Sequence, residues 1–91
     1  MNSIAWPIQV HVIELEELGR RGKRVRAALA LATGRTSMPN IFIGGRSIGG
    51  YTDGRPQGEA RLCWEGAEGL RPMYETGKLA KLLETARLNN L

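Results

Sequence analysis

The sequence predicts a small α/β domain in which a strand, a helix, a β-hairpin and C-terminal helices follow one another. Three observations carry that prediction. Residues 8–15 form a β-rich, nearly continuous apolar run. Residues 41–48 read as a tight hairpin, Ile-Phe-Ile-Gly-Gly-Arg-Ser-Ile. Elsewhere the apolar spacing is helical, at Val25, Ala28, Leu29 and Ala32 and again at Leu79, Leu82, Leu83 and Ala86.

Residues 1–7 have no periodicity, and Trp6-Pro7 forces an extended approach to Ile8. The run from Ile8 through Val10, Val12 and Ile13 to Leu15 suits a strand buried on both faces. His11, within it, reads as a half-buried side chain rather than a ligand. Residues 19–22 read as a loop. From Lys23 a helix is expected, its apolar face widened by Ala27 and Leu31, with Gly34 after Thr33 as its stop. Pro39-Asn40 then leads into the first hairpin strand, 41–43. Gly44-Gly45 supplies two residues that tolerate positive φ, as a type I′ loop demands. Residues 46–48 return, Gly49-Gly50 bends the chain, and Thr52 or Asp53 offers a helix cap.

Residues 54–68 are rich in Gly, Arg and Glu and show no clear period. They read as an insertion with few core residues, expected to be the least ordered internal segment. Cys63-Trp64 lies inside it. A small apolar contact is the expected role of Cys63, against the alternative of a thiol activated by Arg61. Beyond it come a short helix near residues 70–75 and a last helix that Asn89-Asn90 ends.

Ninety-one residues, 42% of them apolar, make one domain with only a marginal core. No run is long enough to cross a membrane, and the N-terminus lacks an apolar signal core. The expected compartment is the cytoplasm, or an organelle if a targeting segment lies outside this chain. One cysteine excludes an intramolecular disulfide, a Cys-x-x-Cys pair and a four-cysteine iron–sulfur site, and one histidine excludes a histidine cluster for a metal. No phosphate-binding Gly-x4-Gly-Lys-Ser/Thr is present. The net charge is +4, with Arg20, Arg21, Lys23, Arg24 and Arg26 packed together. That cluster has no interleaved aromatic to stack on a base, so it reads as the solvated face of one helix rather than a nucleic-acid patch.

Residues 36–53 resemble the second half of a glutaredoxin. That family carries a Thr/Ser-Val-Pro turn before its third strand and a Gly-Gly-x-x-Asp after its fourth. Here Ser37-Met38-Pro39 precedes the Ile-Phe-Ile strand, and Gly49-Gly50-Tyr51-Thr52-Asp53 follows the return strand. The similarity extends to the string 10–15, to the Thr33-Gly34 helix end and to residues 69–79, and breaks across 54–68. It implies a partial thioredoxin-like fold, a cis Met38-Pro39 bond and glutathione as the bound cosubstrate. By position, Met38 and Pro39 would face its cysteinyl part. Gly50, Tyr51, Thr52 and Asp53 would hold its γ-glutamyl end, and Arg35 would sit near its glycine carboxylate.

A glutaredoxin opens with a strand and a helix that bear a Cys motif, and residues 1–7 are too few to hold them. The resemblance therefore implies a single domain over 1–91 without its first strand, first helix and catalytic cysteine. Its parent activity is glutathione-dependent thiol–disulfide exchange, with glutathione or glutathionylated proteins as partners. The expectation for this chain is binding without turnover, and self-association through strand edges that lack a neighbour. Two other readings stand beside it: a non-catalytic interaction module using an exposed strand edge, and a small basic nucleic-acid binder.

Overall fold

The computed structural model describes residues 10–54 and 56–89. Its elements are a 3-10 turn at Leu15–Leu18, α1 (Arg20–Thr33), β1 (Ile41–Ile43), β2 (Arg46–Gly49), α2 (Leu70–Glu75) and α3 (Lys78–Asn89). The strands form a two-stranded antiparallel sheet pairing Ile43 with Arg46, Phe42 with Ser47 and Ile41 with Gly49, with an irregularity between Ile41 and Phe42. Gly44 and Gly45 take φ of 58° and 84°, as the expected hairpin loop requires. Ile48, Ala67 and Met73 are the centre of the core, with Ile41, Ile43, Trp64, Leu70, Leu79 and Leu82 packed around them. The hairpin therefore rests on the C-terminal helices and on the segment that precedes them.

Among the described residues, 10–15 do not form the strand expected over 8–15. Ile8 and Gln9 lie outside the described residues, and 10–14 carry no regular structure. Val10, Val12 and Ile13 are 79%, 76% and 70% exposed. The physical reason is that a strand is stable only when its backbone groups are paired, and no described strand lies beside this one. Leu15 instead begins the 3-10 turn, which folds back on α1. That contact explains why α1 starts at Arg20, inside the expected loop. Gly22 lies beneath the Leu15 carbonyl, where a Cβ would collide with it. The stop is as expected: Gly34 adopts φ 70°, ψ 18°, and its N–H donates to the Ala30 carbonyl.

The apolar face expected on α1 is only partly covered, since Val25 is 37% and Leu31 89% exposed. A polar relay ties the last turn of α1 to the sheet. Thr33 Oγ1 donates to the Leu29 carbonyl at 2.7 Å and accepts from Asn40 Nδ2 at 3.1 Å. Asn40 Oδ1 accepts from Ser47 Oγ at 2.7 Å, and Ser47 Oγ accepts from the Gly49 N–H at 3.0 Å. Ser47 and Thr33 are fully buried, and every buried side-chain polar atom among the described residues is satisfied. Ser47→Ala should cost about 1–3 kcal/mol, because it strands the Asn40 carbonyl oxygen and the Gly49 N–H in the interior. Urea unfolding followed by circular dichroism checks this; an unchanged midpoint would count against the relay.

Residues 54–68 contribute more to the interior than their composition suggests. Ser47 N–H donates to the Leu62 carbonyl at 2.8 Å and Trp64 N–H to the Ser47 carbonyl at 2.9 Å, so Cys63 bridges Ser47 in parallel. Cys63 and Ala67 are buried. The Trp64 Nε1–H donates to the Ile43 carbonyl at 2.9 Å, and the Arg46 guanidinium stands 4.8 Å from its ring centre. Three consecutive apolar residues suffice to cover the free side of β2, whatever the polarity around them.

Candidate functional site

The two motif halves meet through Arg35. Its Nε–H donates to the Pro39 carbonyl at 3.1 Å, and Nη1 and Nη2 reach Asp53 Oδ2 and Oδ1 at 2.9 and 3.3 Å. The arrangement follows from the local chain. Gly34 ends α1 and turns Arg35 inward, and Met38-Pro39, a cis peptide, brings the chain to β1. At the far end of the hairpin Gly49 adopts φ 95°, with Gly54 and the Asp53 carbonyl packed where its side chain would be. The Gly50 N–H donates to the Asp53 carbonyl at 2.6 Å, closing the 50–53 bend.

That bend is held from a second side. The Leu70 and Arg71 N–H groups, in the first turn of α2, donate to the Gly50 and Tyr51 carbonyls at 2.9 and 2.7 Å. Gly69 N–H donates to the Ile48 carbonyl at 3.1 Å. Gly50 is buried, and a Cβ there would run into the Arg35 guanidinium and the Asp53 carboxylate. Met38, Pro39, Tyr51, Thr52 and Asp53 are exposed around it. Tyr51 also lines a cleft of about 490 Å³ with Leu70, Arg71, Tyr74 and Leu79. The site thus offers an exposed carboxylate, exposed backbone on the Met38-Pro39 turn and an aromatic side wall.

Arg35 and Asp53 differ in their surroundings: the Arg35 side chain is 9% exposed and that of Asp53 66%. The Arg35 hydrogen bonds, reinforced by its charge and opposed by partial loss of hydration, hold the Asp53 carboxyl below the usual carboxylate range. The pair therefore stabilises the fold fully above the unfolded aspartate value of about 3.9, and that contribution disappears as pH falls through the lower native value. Thermal melts of Asp53→Asn against the parent should show a gap that is constant above about pH 5 and closes in stronger acid. A gap that widens in acid would contradict the pairing.

Cys63 lies apart from this chemistry. Its Sγ is buried against the Ala32 carbonyl at 3.9 Å, and Arg61, the candidate activator, pairs with Glu59 at 2.7 Å on the surface. His11 is exposed, and no cluster of metal-ligating side chains occurs among the described residues. The resemblance groups Arg35, Met38, Pro39, Gly50, Tyr51, Thr52 and Asp53; in the fold Arg35 bonds to Pro39 and Asp53, Met38 adjoins Pro39, and 50–53 form one bend. The sequence does not reveal the backbone donors of Leu70 and Arg71, which only their place after Gly69 could have suggested.

No protein-family model matches the chain, and no solved structure matches it. Curated proteins do. The chain is 50% identical over 46 residues to monothiol glutaredoxin-S10 of Oryza sativa subsp. japonica, across 50% of this chain and 28% of that protein. It is 45% identical over 42 residues to the chloroplastic monothiol glutaredoxin-S12 of Arabidopsis thaliana, across 46% and 24%. Against glutaredoxin-1 of Saccharomyces cerevisiae it is 32% identical over 81 residues, across 89% of this chain and 58% of that protein. The chain thus spans between about a quarter and rather more than half of the relatives it matches.

Proposed function

We propose, from the premise that this chain is a homologue of the glutaredoxins, that Met38, Pro39 and the 50–53 bend form a glutathione-holding surface braced by Arg35. The observation that carries the reading is the convergence of both motif halves on one guanidinium. The Met38 backbone meets the cysteinyl part of the tripeptide. Gly50, Tyr51 and Thr52 line its γ-glutamyl end, and the exposed Asp53 carboxylate receives the ammonium. The partners are glutathione and glutathionylated proteins, and the parent reaction is thiol–disulfide exchange. That reaction needs a thiolate to attack the mixed disulfide and release the other thiol. Cys63, the one cysteine of the 91 residues, is buried and does not supply it. The chain binds without turnover, in the cytoplasm or in an organelle.

Amide chemical shifts of Met38 and residues 50–53 should move on titration with glutathione, with a dissociation constant no better than about millimolar, as a few exposed polar contacts allow. Turnover of a glutathionylated peptide should be absent. Turnover that vanishes in Cys63→Ser would refute the second expectation, and a folded sample without shifts would refute the first. A second reading, an interaction module, is favoured by one observation: β1 has no further strand beside it among the described residues. Sedimentation of the same samples separates the two, since edge pairing raises the mass and glutathione binding does not.

A further inference from the structure

We propose that Arg35 is a positioning residue locked inside the protein, so that the site does not read a glycyl carboxylate and takes γ-glutamylcysteine as readily as glutathione. The inference rests on the glutathione reading above and concerns which part of the ligand is recognised.

A guanidinium has five N–H donors. In Arg35 four are committed: Nε to the Pro39 carbonyl, Nη1 to Asp53 Oδ2 with the Asp53 carbonyl at 3.5 Å, and one N–H of Nη2 to Asp53 Oδ1, which leaves a single Nη2 N–H and no second fork for a carboxylate. The side chain is 9% exposed. Gly50 lies against it so closely that a Cβ has no room. An arriving carboxylate would have to break the fork to Asp53 or displace the 50–53 bend. Arg71, beside Tyr51, is 59% exposed and pairs along α2 with Glu75 at 3.7 Å, so Arg71→Gln is the control for a carboxylate contact on that side.

Asp53 is arranged the opposite way. A carboxylate has about four lone-pair sites, and Arg35 takes one on each oxygen. The remaining pair belongs to a side chain 66% exposed, where an ammonium group can approach from solvent. Arg35 fixes the plane of that carboxylate and, through the Pro39 carbonyl, the turn carrying Met38. It acts on the ligand through these two groups and touches neither end of it.

The test titrates the full chain with glutathione and with γ-glutamylcysteine, following the amides of Met38 and residues 50–53. The two ligands should bind within about threefold of one another, less than the loss expected for one charge-assisted hydrogen bond. A larger advantage for glutathione overturns the proposal, and its disappearance in Arg35→Gln would identify Arg35 as the carboxylate reader. The positioning role has its own readout, the titration midpoint of the Asp53 carboxyl followed by NMR. It should rise in Arg35→Gln, and less in Arg35→Lys, which keeps the charge and loses the fork. An unchanged midpoint overturns the positioning role. If glutathione itself shifts no amide in a folded sample, the binding reading fails and the ligand preference with it, while the Asp53 midpoint still decides what Arg35 does.

Discussion

Trp64→Ala should cost about 3 kcal/mol, the low end for loss of a large aromatic, since this ring is half-buried. Three contacts go at once: packing on the Ile48, Ala67 and Met73 cluster, the Nε1–H bond to the Ile43 carbonyl, and the Arg46 guanidinium over the ring. For a small domain whose whole stability is on the order of 5–15 kcal/mol, that removes a large share. Trp64→Phe separates the contributions: it keeps most of the packing and loses the hydrogen bond, so about 1 kcal/mol is expected. Urea unfolding by far-ultraviolet circular dichroism measures both. A Trp64→Ala variant within about 0.5 kcal/mol of the parent, the range of ordinary surface changes, would mean that residues 54–68 lie outside the cooperative unit.

The same substitution should behave differently at two glycines four positions apart. At Gly54 an added methyl meets the backbone of Glu68 and the Ala67 carbonyl, neither of which can rotate away. Overpacking of that kind costs about 1–3 kcal/mol or more, so Gly54→Ala should unfold at clearly lower urea. At Gly50 the methyl meets the far end of Arg35 and the Asp53 carboxylate, both side-chain groups. Making room means breaking the Arg35 fork, so Gly50→Ala should lose the ion pair and the stability that the pair contributes, while the backbone packing disturbed at Gly54 is spared. Its signature is a melt lowered to that of Asp53→Asn, with the Asp53 midpoint moved up towards the free aspartate value. A Gly50→Ala variant that keeps the lowered midpoint would show that the bend accommodates the methyl some other way.

These contrasts mark where the sequence was legible. The hairpin was, because Gly44-Gly45 imposes its turn within four residues and needs no distant partner. The end of α1 at Gly34 was legible for the same local reason. Residues 8–15 misled because β-propensity is written in each residue while a strand exists only with its neighbour. The edge segment around Cys63 was hidden by the opposite circumstance: its partner, Ser47, sits beside it in space, and its own flanks are polar. Of the candidate site, the resemblance named residues but could not assign their bonds. Arg35 and Asp53 are 18 positions apart, and nothing along the chain says that the cation faces inward.

α1 is fastened at one end. Its final turn is joined to the sheet by the Thr33–Asn40–Ser47 relay, to Cys63 at Ala32, and to Gln57, whose N–H donates to the Thr33 carbonyl at 2.7 Å. Among the described residues its first turn packs on the neighbouring 3-10 turn, and Val10, Val12 and Ile13, which precede that turn, are exposed. The helix is in effect a cantilever. Its free energy of local opening rises from tip to root, and bending at the tip leaves the root in place. Arg35 begins two residues beyond that root, so the ion pair that organises the candidate site is mechanically insulated from whatever the basic tip of the helix touches.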